Sequence, residues 1–283
     1  MGLMPDQARN TLLEKLRSRN CTDEEDVILN PDYLGDLIVT DKILVTFTLT
    51  NVTNTSAWVE VDLELHNTTI PWCNIGNVTF TTALLLNLTD GYYYLNGTRI
   101  GRPSFFVLPH YLPDRRDLIF KSSLLKSHGF STDDLIVGNV SFRSKKLVHT
   151  FVKTFQPPVI EVRSNQPPIA YSREGGGYLS GSLMYEGLYD IDTGIVLGIR
   201  DIPYPEFYAL GIIGGLVHNV YSAEKNDELD FSREYWPYGF VLYQTNIEFP
   251  KEESGVKPDS ILKYYLLIGI LTLITSTIWR WRK

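Results

Sequence analysis

From Tyr264 to Trp279 the chain runs sixteen residues, YYLLIGILTLITSTIW, without one charged side chain. As a helix at 1.5 Å per residue this run covers about 24 Å, and the longer stretch 261–281 about 31 Å, against a hydrocarbon thickness of about 30 Å. Lys263 and Arg280 stand near enough to the two ends to carry their charges out of the apolar layer. Tyr264 and Tyr265 flank one end and Trp279 and Trp281 the other, where amphipathic rings settle at an interface. These six residues are the expected membrane contacts of a single transmembrane helix, 261–281. Arg280, Arg282 and Lys283 crowd its C-terminal side. The positive-inside rule therefore places residues 282–283 in the cytoplasm or the interior of a particle, and the N-terminal bulk outside. Residues 251–260, polar and carrying Gly255 and Pro258, read as a short linker.

A second pattern marks that bulk. Asn-x-Ser/Thr occurs at Asn20, Asn51, Asn54, Asn67, Asn77, Asn87, Asn96 and Asn139. With 15 Asn and 41 Ser plus Thr in 283 residues, chance yields about two such triplets where eight are found. All eight precede residue 142, whereas Asn165, Asn219, Asn226 and Asn246 lack the pattern. The expectation is N-linked glycans on the membrane-distal half, on loops or on solvent faces of strands. The first twenty residues hold no apolar h-region of a signal peptide. A chain numbered after processing, another export route and a tail-anchored cytoplasmic protein all stay open, with the sequons weighing against the last. Asp6 to Arg19 reads as an amphipathic helix, with Ala8, Leu12, Leu13 and Leu16 on one side.

Composition narrows the function classes. A net charge of -7 without a long basic run argues against a nucleic-acid partner. Two cysteines, Cys21 and Cys73, are too few for a disulfide-dense scaffold or a four-cysteine zinc site. They can form one bridge, adding about 4 kcal/mol on the chain-entropy model, or remain two thiols.

Period-two alternation dominates the first half. Ile43, Val45, Phe47 and Leu49 alternate with Leu44, Thr46, Thr48 and Thr50, and Val59, Val61, Leu63 and Leu65 with Trp58, Glu60, Asp62 and Glu64. These are strands with one buried face. Further strands are expected near 78–86, 92–95, 105–108, 118–121, 135–142 and 147–155, with Asn96-Gly97 as a two-residue hairpin turn. Two Pro-Pro pairs and a triple glycine fall in 156–177, the expected linker between domains. Beyond it 178–189, 194–200 and 238–249 read as strands, and the apolar, glycine-rich 209–222 as a buried strand pair or packed helix, with a fusion-like or membrane-dipping segment as the alternative. The fold class expected is mainly β: two antiparallel β-sandwich-like domains followed by the single C-terminal helix. The division is 1–24, amphipathic helix; 25–155, glycosylated β domain; 156–177, linker; 178–250, membrane-proximal β domain.

Tyr189-Asp190-Ile191-Asp192-Thr193-Gly194-Ile195-Val196-Leu197 resembles the Tyr-Asp-x-x-Thr-Gly hairpin of archaeal surface-anchored β-domain glycoproteins. The resemblance spans about 25 residues and implies a cell-envelope or virion protein, and scarce Gln with abundant Ile, Leu and Tyr fits a thermophile. Without kinship the pattern still makes mechanical sense, since Asp190 can bond the turn backbone and Gly194 can supply a positive φ.

Catalytic chemistry finds little support. Asp192-Thr193-Gly194 matches the core of an aspartic-protease motif, but that chemistry needs a second carboxylate copy, and Ile195 stands where a hydroxyl is required. His66, His110, His128, His149 and His218 are scattered without metal-ligand spacing. Gly175-Gly176-Gly177 lacks the lysine and helix of a phosphate loop. No cofactor motif is present. Three aromatic clusters, 92–94, 204–208 and 235–238, suit protein or glycan contacts if exposed and a β core if buried. The function expected is that of a membrane-anchored extracytoplasmic glycoprotein with a structural or interaction role in a cell-surface or virion assembly, not an enzyme. Its partners are the lipid membrane, N-linked glycans and other protein subunits in an oligomer or larger assembly. The alternatives are an accessory subunit of a membrane complex, with Gly269, Thr272, Thr275 and Ser276 as helix contacts, and, last, an ectoenzyme.

Overall fold

A computed structural model describes residues 6–19, 21, 40–70, 73–108, 112–143, 147–172, 178–200, 204–212 and 239–249. The chain is mainly β. Its first half holds α1 (Asp6–Ser18), β1 (Lys42–Thr50), β2 (Ser56–Ile70), β3 (Cys73–Asn87), β4 (Tyr92–Leu95), β5 (Thr98–Gly101), β6 (Leu118–Phe120), α2 (Ser122–Lys126), β7 (Phe130–Thr132) and β8 (Leu135–Arg143). After these come β9 (Val148–His149), β10 (Thr154–Phe155), β11 (Val159–Ser164), β12 (Pro168–Ser172), β13 (Tyr178–Ser182), β14 (Glu186–Asp190), β15 (Val196–Arg200), α3 (Tyr204–Ala209) and β16 (Phe240–Val241). Eleven strands form one antiparallel sheet in the order β1-β2-β3-β4-β5-β6-β8-β11-β14-β15-β16.

The alternation in β2 does what its period implies: Ala57, Val59, Val61, Leu63 and Leu65 are buried while the residues between them are wetter. The pairing slips between Leu65 and Thr68, and from there the even position, Thr68, faces inward. Asn67 sits at this bulge with φ 49°, and Gly76, the β3 partner of Thr68, has φ 71°, where the buried phase changes likewise from Ile75 to Val78. An inserted residue on each strand flips the inward face while keeping the ladder, and Asn and Gly tolerate the left-handed backbone it needs.

Eleven strands exceed what a strongly twisted open sheet sustains without curling. Here Phe47 of the edge strand β1 stacks on Phe105 with centroids 5.2 Å apart and planes 6° apart. Phe105 O accepts from Val196 N at 2.9 Å and Val107 N donates to Gly194 O at 2.8 Å, so residues 105–107 lie beside the start of β15. The sheet thus bends back until its first strand meets a segment bonded near its far end. One hydrophobic core results, joining Leu12, Leu13 and Leu16 of α1 with Val61, Phe120, Tyr189, Ile199 and Phe207.

That continuity corrects the division into two sandwich-like domains. The stretch 156–177 holds two strands, and β11 pairs with β8 on one side and β14 on the other, so the sheet runs straight through the expected linker. The prolines are compatible with this because they stand at strand ends: Pro157-Pro158 precede β11, and Pro168 opens β12. Residues 1–247 form one compact unit, and 248–283 a second of which only Glu248 and Phe249 are described. A strand expected over 178–189 is broken into β13 and β14, and the aromatic cluster at 204–208 falls in a helix. Among the described residues no helix is long and apolar enough to cross a membrane. The expected span 261–281, its interface residues, the linker 251–260, the tail 282–283 and residues 213–238 lie outside the described residues.

Candidate functional site

Seven of the eight sequon asparagines are described; Asn20 is not. Asn51, Asn54, Asn67, Asn77, Asn96 and Asn139 are exposed, and Asn87 is half-buried. Asn51 and Asn96 sit in turns at φ 49° and 50°, Asn54 lies in the β1–β2 connection, and Asn77 and Asn139 point outward from β3 and β8. At Asn87 the amide oxygen accepts from Thr89 N at 2.8 Å and Thr89 Oγ1 at 2.7 Å, which leaves the amide nitrogen, the atom a glycan joins, uncommitted by that turn. Asn165, which has no sequon, contrasts with these. Its Oδ1 accepts from Ile136 N at 2.9 Å and its Nδ2 donates to Asp134 O at 3.2 Å, so the whole amide braces β8. Cys21 and Cys73 are joined in a disulfide with Cα atoms 6.1 Å apart, fastening the end of α1 to β3.

A second constellation lies in the core, built by elements from both ends of the sheet. Glu206 on α3 is fully buried, and its Oε1 accepts from Ser104 N at 2.8 Å. Tyr93 of β4, Tyr185 immediately before β14 and Tyr189 within it surround it. The Tyr185 and Tyr189 hydroxyls bond each other and lie 3.2 and 3.0 Å from Ser104 O; with one proton each, one donates to that carbonyl while the other donates to its neighbour. The two rings share a face of β14 because they are spaced by the strand period over Gly187. A Cβ at Gly187 would come within 2.8 Å of both hydroxyls, so only glycine leaves room for the pair.

Burial raises the Glu206 carboxyl to about 7 from its usual 4.5, partly offset by hydrogen bonding from Ser104 and Tyr93. Tyr93 Oη, Ser104 Oγ and Glu206 Oε2 stop short of well-formed hydrogen bonds, which keeps that offset small beside the burial. Burial, then the nearby Glu206, pushes the Tyr93 hydroxyl up, and burial, then Tyr189, pushes up that of Tyr185. The cluster can therefore hold or release a proton near neutrality, but it is sealed from solvent. A lone Glu amid the aromatic run Tyr204–Tyr208 was the available signal for it, read instead as part of an aromatic cluster.

The Asp-Thr-Gly segment braces a turn. Asp190 Oδ2 accepts from Thr193 N at 3.0 Å and Thr193 Oγ1 at 2.6 Å, and Gly194 N donates to Asp190 O at 2.9 Å. Gly194 has φ 72°, and a Cβ there would stand 2.1 Å from Val107 O, so glycine is required for both conformation and space. The described aromatic clusters are largely internal: Tyr92, Tyr93, Tyr204 and Phe207 are buried. Among the described residues no three His, Cys, Asp or Glu side chains stand together to hold a metal ion. The chain matches no family model, no curated protein and no solved structure.

Proposed function

We propose that this chain is a membrane-anchored extracytoplasmic glycoprotein with a structural or interaction role in a cell-surface or virion assembly. The observation that carries the reading is the concentration of sequons ahead of residue 142, six of whose seven described asparagines are exposed. The uncharged run 264–279 with its basic C-terminal flank supports the same sidedness independently. A bridge between Cys21 and Cys73 suits an oxidising compartment. The polar and small residues Gly269, Thr272, Thr275 and Ser276 favour a second reading, an accessory subunit whose membrane helix packs on others.

Glycopeptide mapping of protein purified from its native membrane or particle tests the first reading. It expects sugar at most of the eight asparagines together with a reproducible set of co-purifying neighbours. Bare asparagines throughout would sink it.

A further inference from the structure

We infer that the β9–β10 hairpin and Tyr243 form a docking surface for a bilayer bearing anionic lipid. The inference rests on the membrane-anchored reading and goes beyond it by naming the face and the lipid chemistry. Four of the ten large apolar side chains exposed in the described residues fall between 142 and 152: Phe142, Leu147, Phe151 and Val152. Phe151 and Val152 occupy the tip between β9 and β10, 48% and 37% exposed. Tyr243, 45% exposed, lies against Phe151 with ring centroids 5.1 Å apart, and Phe151 N donates to Leu242 O at 3.1 Å. Apolar side chains held out in water on a short, backbone-fixed hairpin want an apolar neighbour.

Charge identifies that neighbour. Lys153 stands at the hairpin tip, and the described residues 147–155 carry no acidic side chain, in a chain whose net charge is -7. Lys42 Nζ also stands 4.3 Å from the centroid of the Tyr243 ring. Aromatic and aliphatic tips beside Lys are the chemistry of an anionic lipid interface, where rings enter the headgroup layer and cations meet phosphates. Position agrees. Tyr243 lies four residues before Ile247, where unit 1 ends, and eighteen before Ile261, at most about 60 Å of extended chain. Asn51 and Asn54 are at the other end of β1 from Lys42.

The test uses the full chain in vesicles of phosphatidylcholine and phosphatidylglycerol with brominated acyl chains. Because Cys21 and Cys73 are bridged, a Val152→Cys variant offers one free thiol for an environment-sensitive fluorophore. Val52→Cys is the control: it is 63% exposed but lies beyond the opposite end of β1. The proposal expects the label at 152 to shift to the blue and lose most of its emission to the brominated lipid, with the label at 52 unchanged. Protein that floats with the vesicles while both labels behave alike overturns the docking surface and leaves the anchor standing. Protein that does not float overturns both. A label at 152 shielded from an aqueous quencher but untouched by bromine puts protein on the patch and also overturns it.

Discussion

A carboxyl group sealed among β4, β14 and α3 makes the stability of this fold depend on pH. Glu206 titrates near 4.5 when unfolded and at about 7 when folded, because burial disfavours its charge. Below pH 4.5 both states hold the proton, so the group is neutral to stability relative to its best case. As pH rises through 4.5 the unfolded chain releases the proton while the folded one keeps it, and stability falls until about pH 7, by about 3 kcal/mol at most. Thermal unfolding followed by circular dichroism should show this loss between pH 4.5 and 7. Glu206→Gln, which keeps the Oε1 acceptor for Ser104 N, should flatten it and be the more stable form at pH 7. An identical slope in both proteins would refute the assignment. At Gly187 the prediction is steric: Gly187→Ala pushes a methyl into two tyrosine hydroxyls and should destabilise by about 1–3 kcal/mol in denaturant unfolding.

Elements differ in how plainly their sequences announce them. β1 and β2 alternate so regularly that both strands could be read, and in β2 the buried face as well, and the helix expected over 6–19 is α1, with Leu12, Leu13 and Leu16 buried. β11 was hidden because its prolines suggested a break, yet VIEVR is buried nearly throughout and alternates nothing, as a strand covered on both faces does. α3 was hidden for a different reason: six residues are too few for a helical period, and Tyr-Pro-Glu-Phe-Tyr is as apt for a strand edge. Glu206 could not be assigned without it, since what makes that residue unusual is the surface that α3 meets. The disulfide provides an element-scale prediction. It closes 52 residues between α1 and β3, and Cys21→Ser with Cys73→Ser should lower unfolding stability by up to about 4 kcal/mol, an effect a reducing agent should reproduce in the native protein and not in the variant.

For the whole molecule, a sheet that curls back on itself lets residues distant in sequence share one core, and local pattern could not disclose this. Two patterned regions either side of a proline-rich stretch look alike whether they form two domains or one; the pairing of β11 with both β8 and β14 makes them one. The class, mainly β, was legible because each strand carries its own signal, whereas the closure depends on contacts such as Phe47 on Phe105. Phe47→Ala, which removes a half-buried stack between the two ends of the sheet, should cost about 1–3 kcal/mol in equilibrium unfolding, a larger loss than trimming Leu49 on the same strand, which is 42% exposed.

Sidedness is the claim on which the functional reading turns, and protease protection on sealed native vesicles or intact particles measures it most directly. Added protease should digest unit 1 from outside and spare only a C-terminal fragment beginning near residue 261. Protection of residues 1–247 until detergent is added, with loss of the basic tail alone, would place the β unit on the inner side and contradict the account.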